Sequence, residues 1–114
     1  MNSCKSKYEM VSPHSVNDSI RYDVSIMSPA EVMRVIYPFP DNNSVVLDWK
    51  ELKKPNTYKI TLVHSNLEDD SVEAYKYIVY AEYNGMTWRV TEIKRTHRCW
   101  ENRGHTRWNT KKCY

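Results

Sequence analysis

Period-two alternation of apolar and polar residues, the mark of a half-buried strand, recurs along this chain. Ile20, Tyr22, Val24 and Ile26 alternate with Arg21, Asp23 and Ser25. Val45, Leu47 and Trp49 alternate with Ser44, Val46 and Asp48, and Tyr58, Ile60, Leu62 and His64 alternate with Thr57, Lys59, Thr61 and Val63. Each set predicts a strand. Between the first and second, Ser28-Pro29-Ala30-Glu31 places a Ser cap, a Pro at the first helical position and a Glu at the third. That is a capping box, and Val32, Met33, Val35 and Ile36 behind it form one apolar helical face. The helix should stop near Tyr37, because Pro38 and Pro40 cannot continue it.

The run Val79 to Val90 encloses Asn84-Gly85, a strong hairpin signal. A two-residue loop there pairs Tyr83 with Met86, Ala81 with Trp88 and Val79 with Val90. Tyr77, Val79, Ala81, Tyr83, Met86, Trp88 and Val90 then form the core face. Lys76, Ile78, Tyr80, Glu82, Thr87, Arg89, Thr91, Ile93 and Arg95 form the other.

The order β-α-β-β-β-β predicts a single small α+β domain, an antiparallel sheet of about five strands with one short helix on one face. Residues 1–18 read as an irregular lead-in, 19–95 as the domain, and 96–114 as a basic, aromatic tail packed on it or extending from it. At 114 residues the chain is long enough for one core and too short for two.

Composition changes this picture in two respects. Four Trp and nine Tyr stand against one Phe, so the apolar surface comes with polar edges that need water or a partner. Charge is also divided: residues 86–114 hold eight Lys/Arg against Glu92 and Glu101, a net of +6, while residues 1–85 hold nine against twelve Asp/Glu, a net of −3. Such a split points to an oppositely charged partner at one end. Met1 to Tyr8 contain no apolar run and nothing approaches a membrane span, so the expectation is a cytoplasmic protein that does not engage membranes. The sequons at Asn17 and Asn42 are read as coincidental, and the three cysteines as reduced thiols.

The tail carries the candidate chemistry. Arg89, Lys94, Arg95, Arg98, Arg103, Arg107, Lys111 and Lys112 are the candidate phosphate contacts, and Trp100 and Trp108 the candidate stacking platforms. Cations interleaved with aromatics suit a single-stranded nucleic acid or RNA. The alternatives are that the charge meets an acidic protein surface, or that it is a solvated rim whose tryptophans fold back on the sheet.

His97, Cys99, His105 and Cys113 are possible zinc ligands, but their spacing lacks the close pairs of common zinc modules. A Cys99–Cys113 bridge is a further option in an oxidising compartment. No cofactor or metal is expected. His97 and His105 could serve as base and acid in RNA cleavage. The basic α+β outline and late strands resemble small ribosome-dependent ribonuclease toxins, although the helical hairpin that opens those proteins is missing from the pattern. No residue role is carried over.

No phosphate-cradling Gly loop, Ser-His-Asp order or paired-His helix occurs. The expected function is therefore binding: of nucleic acid first, as a protein-interaction module second, for example a phage or viral inhibitor of a host or defence protein, and as a ribonuclease third.

Overall fold

The computed structural model describes residues 7–114. It is an α+β structure with a five-stranded antiparallel sheet and two short helices. The elements follow in the order β1 (Glu9–Val11), α1 (His14–Ile20), α2 (Pro29–Ile36), β2 (Val45–Glu51), β3 (Thr57–His64), β4 (Val72–Tyr83) and β5 (Trp88–Cys99). Across the sheet the strands run β1-β5-β4-β3-β2. Among the described residues no helix is long and apolar enough to cross a membrane.

The α2 helix begins as its capping box requires. Ser28 Oγ accepts the Glu31 N–H at 3.3 Å, and Glu31 Oε2 reaches back to the Met27 N–H. Val32 and Met33 are fully buried, and the helix ends at Ile36. β2 and β3 also lie where the alternation puts them.

The expected strand at Ile20–Ile26 does not form. Ile20 closes α1 and is 1% exposed, while Tyr22 is 85% and Val24 58% exposed. Asp23 accepts hydrogen bonds from both the N–H and the hydroxyl of Ser25, which turns the chain where a strand would stay extended. The same bonds lower the Asp23 carboxyl below its ordinary range, the Ser25 hydroxyl first.

The fifth strand is instead β1, inside the expected lead-in, pairing Glu9 with Arg95 and Val11 with Ile93. Beyond Val11 the β5 edge is capped by α1: the Asn17 side chain donates to Val90 O and accepts from Val90 N, both at 2.8 Å. Asn17 thus does for β5 what a further β1 residue would do, and its amide is committed to the fold. Asn109 also pairs with β5, at His97, so the sheet draws on segments outside 19–95.

The hairpin differs from its expected register. Its loop is Asn84 to Thr87, and Tyr83 pairs with Trp88, Glu82 with Arg89 and Ala81 with Val90. Asn84 Oδ1 accepts the N–H groups of Met86 and Thr87, and Gly85 takes a φ of +99°. Met86 is left 67% exposed instead of lying in the core. Slipping by two residues preserves which face each side chain takes, so Trp88 and Val90 still point inward.

A bulge then changes the face. Ala81 pairs with Val90 but Tyr80 pairs with Glu92, leaving Thr91 as the extra residue. One inserted residue inverts every side chain beyond it. Ile93, Arg95 and His97 join the helix-covered face, and Glu92, Lys94, Thr96 and Arg98 take the other. Ile93 is accordingly 1% exposed.

The core lies between the helices and the covered face. Ile20, Ile26, Val32, Met33 and Phe39 pack there with Ile60, Leu62, Val79, Ala81, Trp88, Val90 and Ile93. The Trp88 indole N–H donates to Ile26 O at 3.1 Å, satisfying its polar edge inside the core.

Candidate nucleic-acid interface

The face of the sheet away from the helices gathers cations and aromatic rings. Strand register places Lys59 beside Tyr80, Tyr80 beside Glu92, Lys76 beside Thr96, and Ile78 beside Lys94. The Lys94 ammonium lies 5.7 Å from the Tyr80 ring centroid. Trp108 lies over the same face, with the Arg98 guanidinium at 4.7 Å and the Lys76 ammonium at 5.7 Å from its ring. Cation–ring contacts of this kind orient both partners while leaving polar donors at the surface.

Carboxylates accompany several of these cations. Arg98 pairs with Glu73 at 2.5 Å, Lys94 with Glu92 at 3.5 Å, and Arg89 with Glu82 at 3.0 Å. Among the described residues Lys59, Lys76, Arg107, Lys111 and Lys112 have no such pair.

The expected binding residues therefore divide. Lys94, Arg98 and Trp108 come together on the helix-free face, with Arg89 farther along it toward the hairpin turn. Arg95 does not join them. The Thr91 bulge turns it to the covered side, where its guanidinium bonds Glu9 at 2.5 Å. Glu9 first, and then Tyr77, hold the Arg95 guanidinium above its usual range despite the burial that opposes them.

The tail turns back and packs. Trp100 donates its indole N–H to Asp69 O at 2.8 Å, and its backbone N–H to Ser71 O. Asp69 braces that loop with its carboxylate, which accepts the Val72 and Ser71 N–H groups and is held below the ordinary carboxylate range by them. Arg103 is folded against the Tyr114 carbonyl, while Arg107, Lys111 and Lys112 remain exposed. Trp100 and Trp108 are both half-buried, so each supports the fold as well as presenting a surface.

The expectation of three reduced thiols is corrected. Cys99 and Cys113 are bonded to each other, and Cys4 lies outside the described residues. The bond closes the tail onto the end of β5, where the Cys99 N–H also donates to His105 O. Gly104, at a φ of +137°, makes the approach possible: a Cβ there would stand 2.8 Å from Cys99 Sγ.

On the covered face a row of rings leads from α2 toward this closure. Tyr37 hydrogen-bonds His64 Nδ1 at 2.7 Å and packs against Tyr77 and Tyr75, and Tyr75 meets His97. Burial, with Tyr77 and Tyr75 adding to it, raises the Tyr37 phenol. Glu9, Tyr75, Tyr77, Arg95, Thr96 and His97 line a cavity of about 330 Å³ here. A larger concavity, about 560 Å³, lies between α1 and the hairpin turn and takes in only Arg89 of the expected binding residues.

Lys59, Lys76 and Tyr80 were not among the candidates drawn from the sequence. Their signal was the polar phase of the β3 and β4 alternation, which gains meaning only once the pairing between strands is known.

Comparison of the chain with protein-family models, with curated proteins and with solved structures finds no match.

Proposed function

We propose that the protein binds single-stranded nucleic acid on its helix-free sheet face. One observation carries this reading: Lys59, Lys76, Lys94 and Arg98 share that face with Tyr80 and Trp108. Phosphates would meet the cations, and bases would stack on rings held by the sheet. Arg107, Lys111 and Lys112, exposed in the tail that delivers Trp108, extend the positive surface. A duplex fits this arrangement less well, because its bases are already stacked on one another and offer no free faces to Tyr80 and Trp108. The work would be done in the cytoplasm, a host cell's for a phage or viral accessory protein, where reducing conditions would open the Cys99–Cys113 bond.

Anisotropy titration with labelled single- and double-stranded oligonucleotides across a salt series tests the reading. Single strands should bind more tightly than duplex. The logarithm of affinity should fall with the logarithm of salt by about 0.7 per phosphate neutralised. Absence of binding at low salt would sink the proposal.

A second reading, a protein-interaction module, has its own support. Tyr22, Val24 and Met27 expose apolar side chains, at 85%, 58% and 70%, on the loop that replaces the expected strand. Under that reading Tyr22→Ser with Met27→Ser would abolish capture of a protein partner and leave oligonucleotide binding intact. For the ribonuclease reading, RNA cleavage that persists after His97→Ala with His105→Ala would remove both histidines from any catalytic role.

A further inference from the structure

His97 and His105 lie 5.2 Å apart between ring centroids, beside the Cys99–Cys113 bond. The ligand atoms of these four residues all lie within 4.8 Å of one another. We propose that, once Cys99–Cys113 is reduced, His97, Cys99, His105 and Cys113 bind one zinc-like divalent ion. The disulfide and the metal are then alternative closures of the same tail.

The ring environments point to a ligand. His105 sets Nδ1 2.7 Å from Arg107 O and Nε2 2.7 Å from Lys111 O. His97 sets its own Nε2 2.7 Å from the same Lys111 oxygen. A neutral imidazole has one N–H, so it can satisfy only one of two carbonyl acceptors. In His105 the other nitrogen then faces an oxygen lone pair, an arrangement suited to a cation. With an ion bound, Nδ1–H would keep its bond to Arg107 O and Nε2 would become the ligand. A ligating histidine that donates its remaining N–H to a backbone carbonyl is the usual outer-shell arrangement at metal sites. The ion would take the place where Lys111 O now receives both rings, and that exposed peptide would rotate away.

The donor set is also suitable. Tetrahedral zinc holds sulfur at about 2.3 Å and imidazole nitrogen at about 2.0–2.1 Å, which puts ligand atoms roughly 3.3–3.8 Å apart. Opening the disulfide lets the sulfurs separate into that range. The frame does not depend on the sulfur bond: His97 and Asn109 pair through their backbones, and Cys99 N–H binds His105 O. Both sulfurs are buried and both rings half-buried, which limits competition from water.

The exchange balances with a dithiol reductant. The reductant gives two electrons and two protons, becomes a disulfide itself, and leaves Cys99 and Cys113 as thiols. Binding the ion then releases those two protons to solvent as the thiolates coordinate. The metal site uses the backbone of Arg107 and Lys111 but no side chain of the proposed nucleic-acid surface, and it stands or falls without that reading.

The test uses the full chain in a Cys4→Ser background, with Co(II) and Zn(II) alone as probes. Circular dichroism of the oxidised protein first confirms that each variant is folded. Reduced protein should take up one equivalent of Co(II) with the absorption of a tetrahedral thiolate complex, and Zn(II) should displace it. Oxidised protein should show neither. His105→Gln and His97→Gln, which keep both cysteines, should each weaken Co(II) binding by about a hundredfold, the upper end of what loss of an outer-shell partner alone costs. Absence of the thiolate absorption in reduced protein would overturn the site, and so would affinity unchanged by both histidine variants.

Discussion

The two faces of this sheet are made by the same strands and do different work. On the covered face β5 contributes Trp88, Val90 and Ile93, each no more than 4% exposed. On the other face it contributes Arg89, Glu92, Lys94 and Arg98, charged side chains at least a third exposed. A perfectly regular β5 could not make both. If alternation ran unbroken from Trp88, Ile93 would point away from the core and Lys94 into it. Thr91 prevents this, and its hydroxyl donates to Tyr80 O across the irregularity. One extra residue therefore keeps an aliphatic residue in the core while it sets Lys94 and Arg98 on the same face as Lys76. The face contrast is a matter of register as much as of composition.

That contrast can be broken most directly by Ile93→Lys. The expected result is loss of cooperative folding in urea, because the bulge turns this position into the core, where an unpaired charge is costly. An Ile93→Lys variant with native-like stability would show that the bulge does not set the faces.

Trp88→Ala, on the covered side, should cost about 3–5 kcal/mol. It removes the ring packed between Tyr58 and Tyr83 and strands Ile26 O. Chemical denaturation reads this directly.

Asn17→Ala leaves the Val90 N–H and C=O without partners at the sheet edge. It should cost roughly 1–3 kcal/mol. Hydrogen exchange at Val90 should accelerate in the same variant, which distinguishes loss of the edge cap from a general loosening of α1.

The helix-free face predicts smaller effects, one of them opposite in sign. Thr96 is 2% exposed, and among the described residues its hydroxyl has no hydrogen-bond partner. Thr96→Val should be neutral or stabilising by up to about 1 kcal/mol. A clear loss of stability would mean that this part of the face is wet, not covered.

A loss of no more than about 1 kcal/mol is expected for Lys59→Ala with Lys76→Ala, which touches no ion pair and removes the Lys76 contacts with the Tyr8 and Trp108 rings. Oligonucleotide affinity and its salt dependence should both fall in that variant. Unchanged affinity would move the proposed surface off this face.

Much of the fold was legible locally. The α2 cap uses residues three positions apart, β2 and β3 announce themselves by alternation, and β4 is marked by the Asn84-Gly85 turn that follows it, so each signal is local. The strand expected at Ile20–Ile26 failed because alternation records only polarity. It did not record that Asp23 bonds to Ser25, or that α1 uses Ile20 as its last buried residue. β1 was too short to show a period, and α1 carries little apolar face beyond Val16 and Ile20.

The candidate site was half legible, for the same reason. Its residue types were evident from charge and aromatic content, and Lys94, Arg98 and Trp108 do come together. Arg95 was separated from them by a bulge, and Lys59 and Lys76 were brought in by strand pairing. Neither effect has a signature inside the segment it acts on.

By itself, then, the sequence determined the capped α2 helix, strands β2 and β3, the turn at Asn84-Gly85 and the positive charge of the last third. Short-range bonds and side-chain periodicity suffice for these. Tertiary structure alone decided which face Lys94 and Arg95 take, that Asn17 continues a strand edge, and that the tail closes with His97, Cys99, His105 and Cys113 in one cluster. Those outcomes depend on contacts between residues far apart in the chain, and the packing of the whole core selects among the registers that local chemistry leaves open.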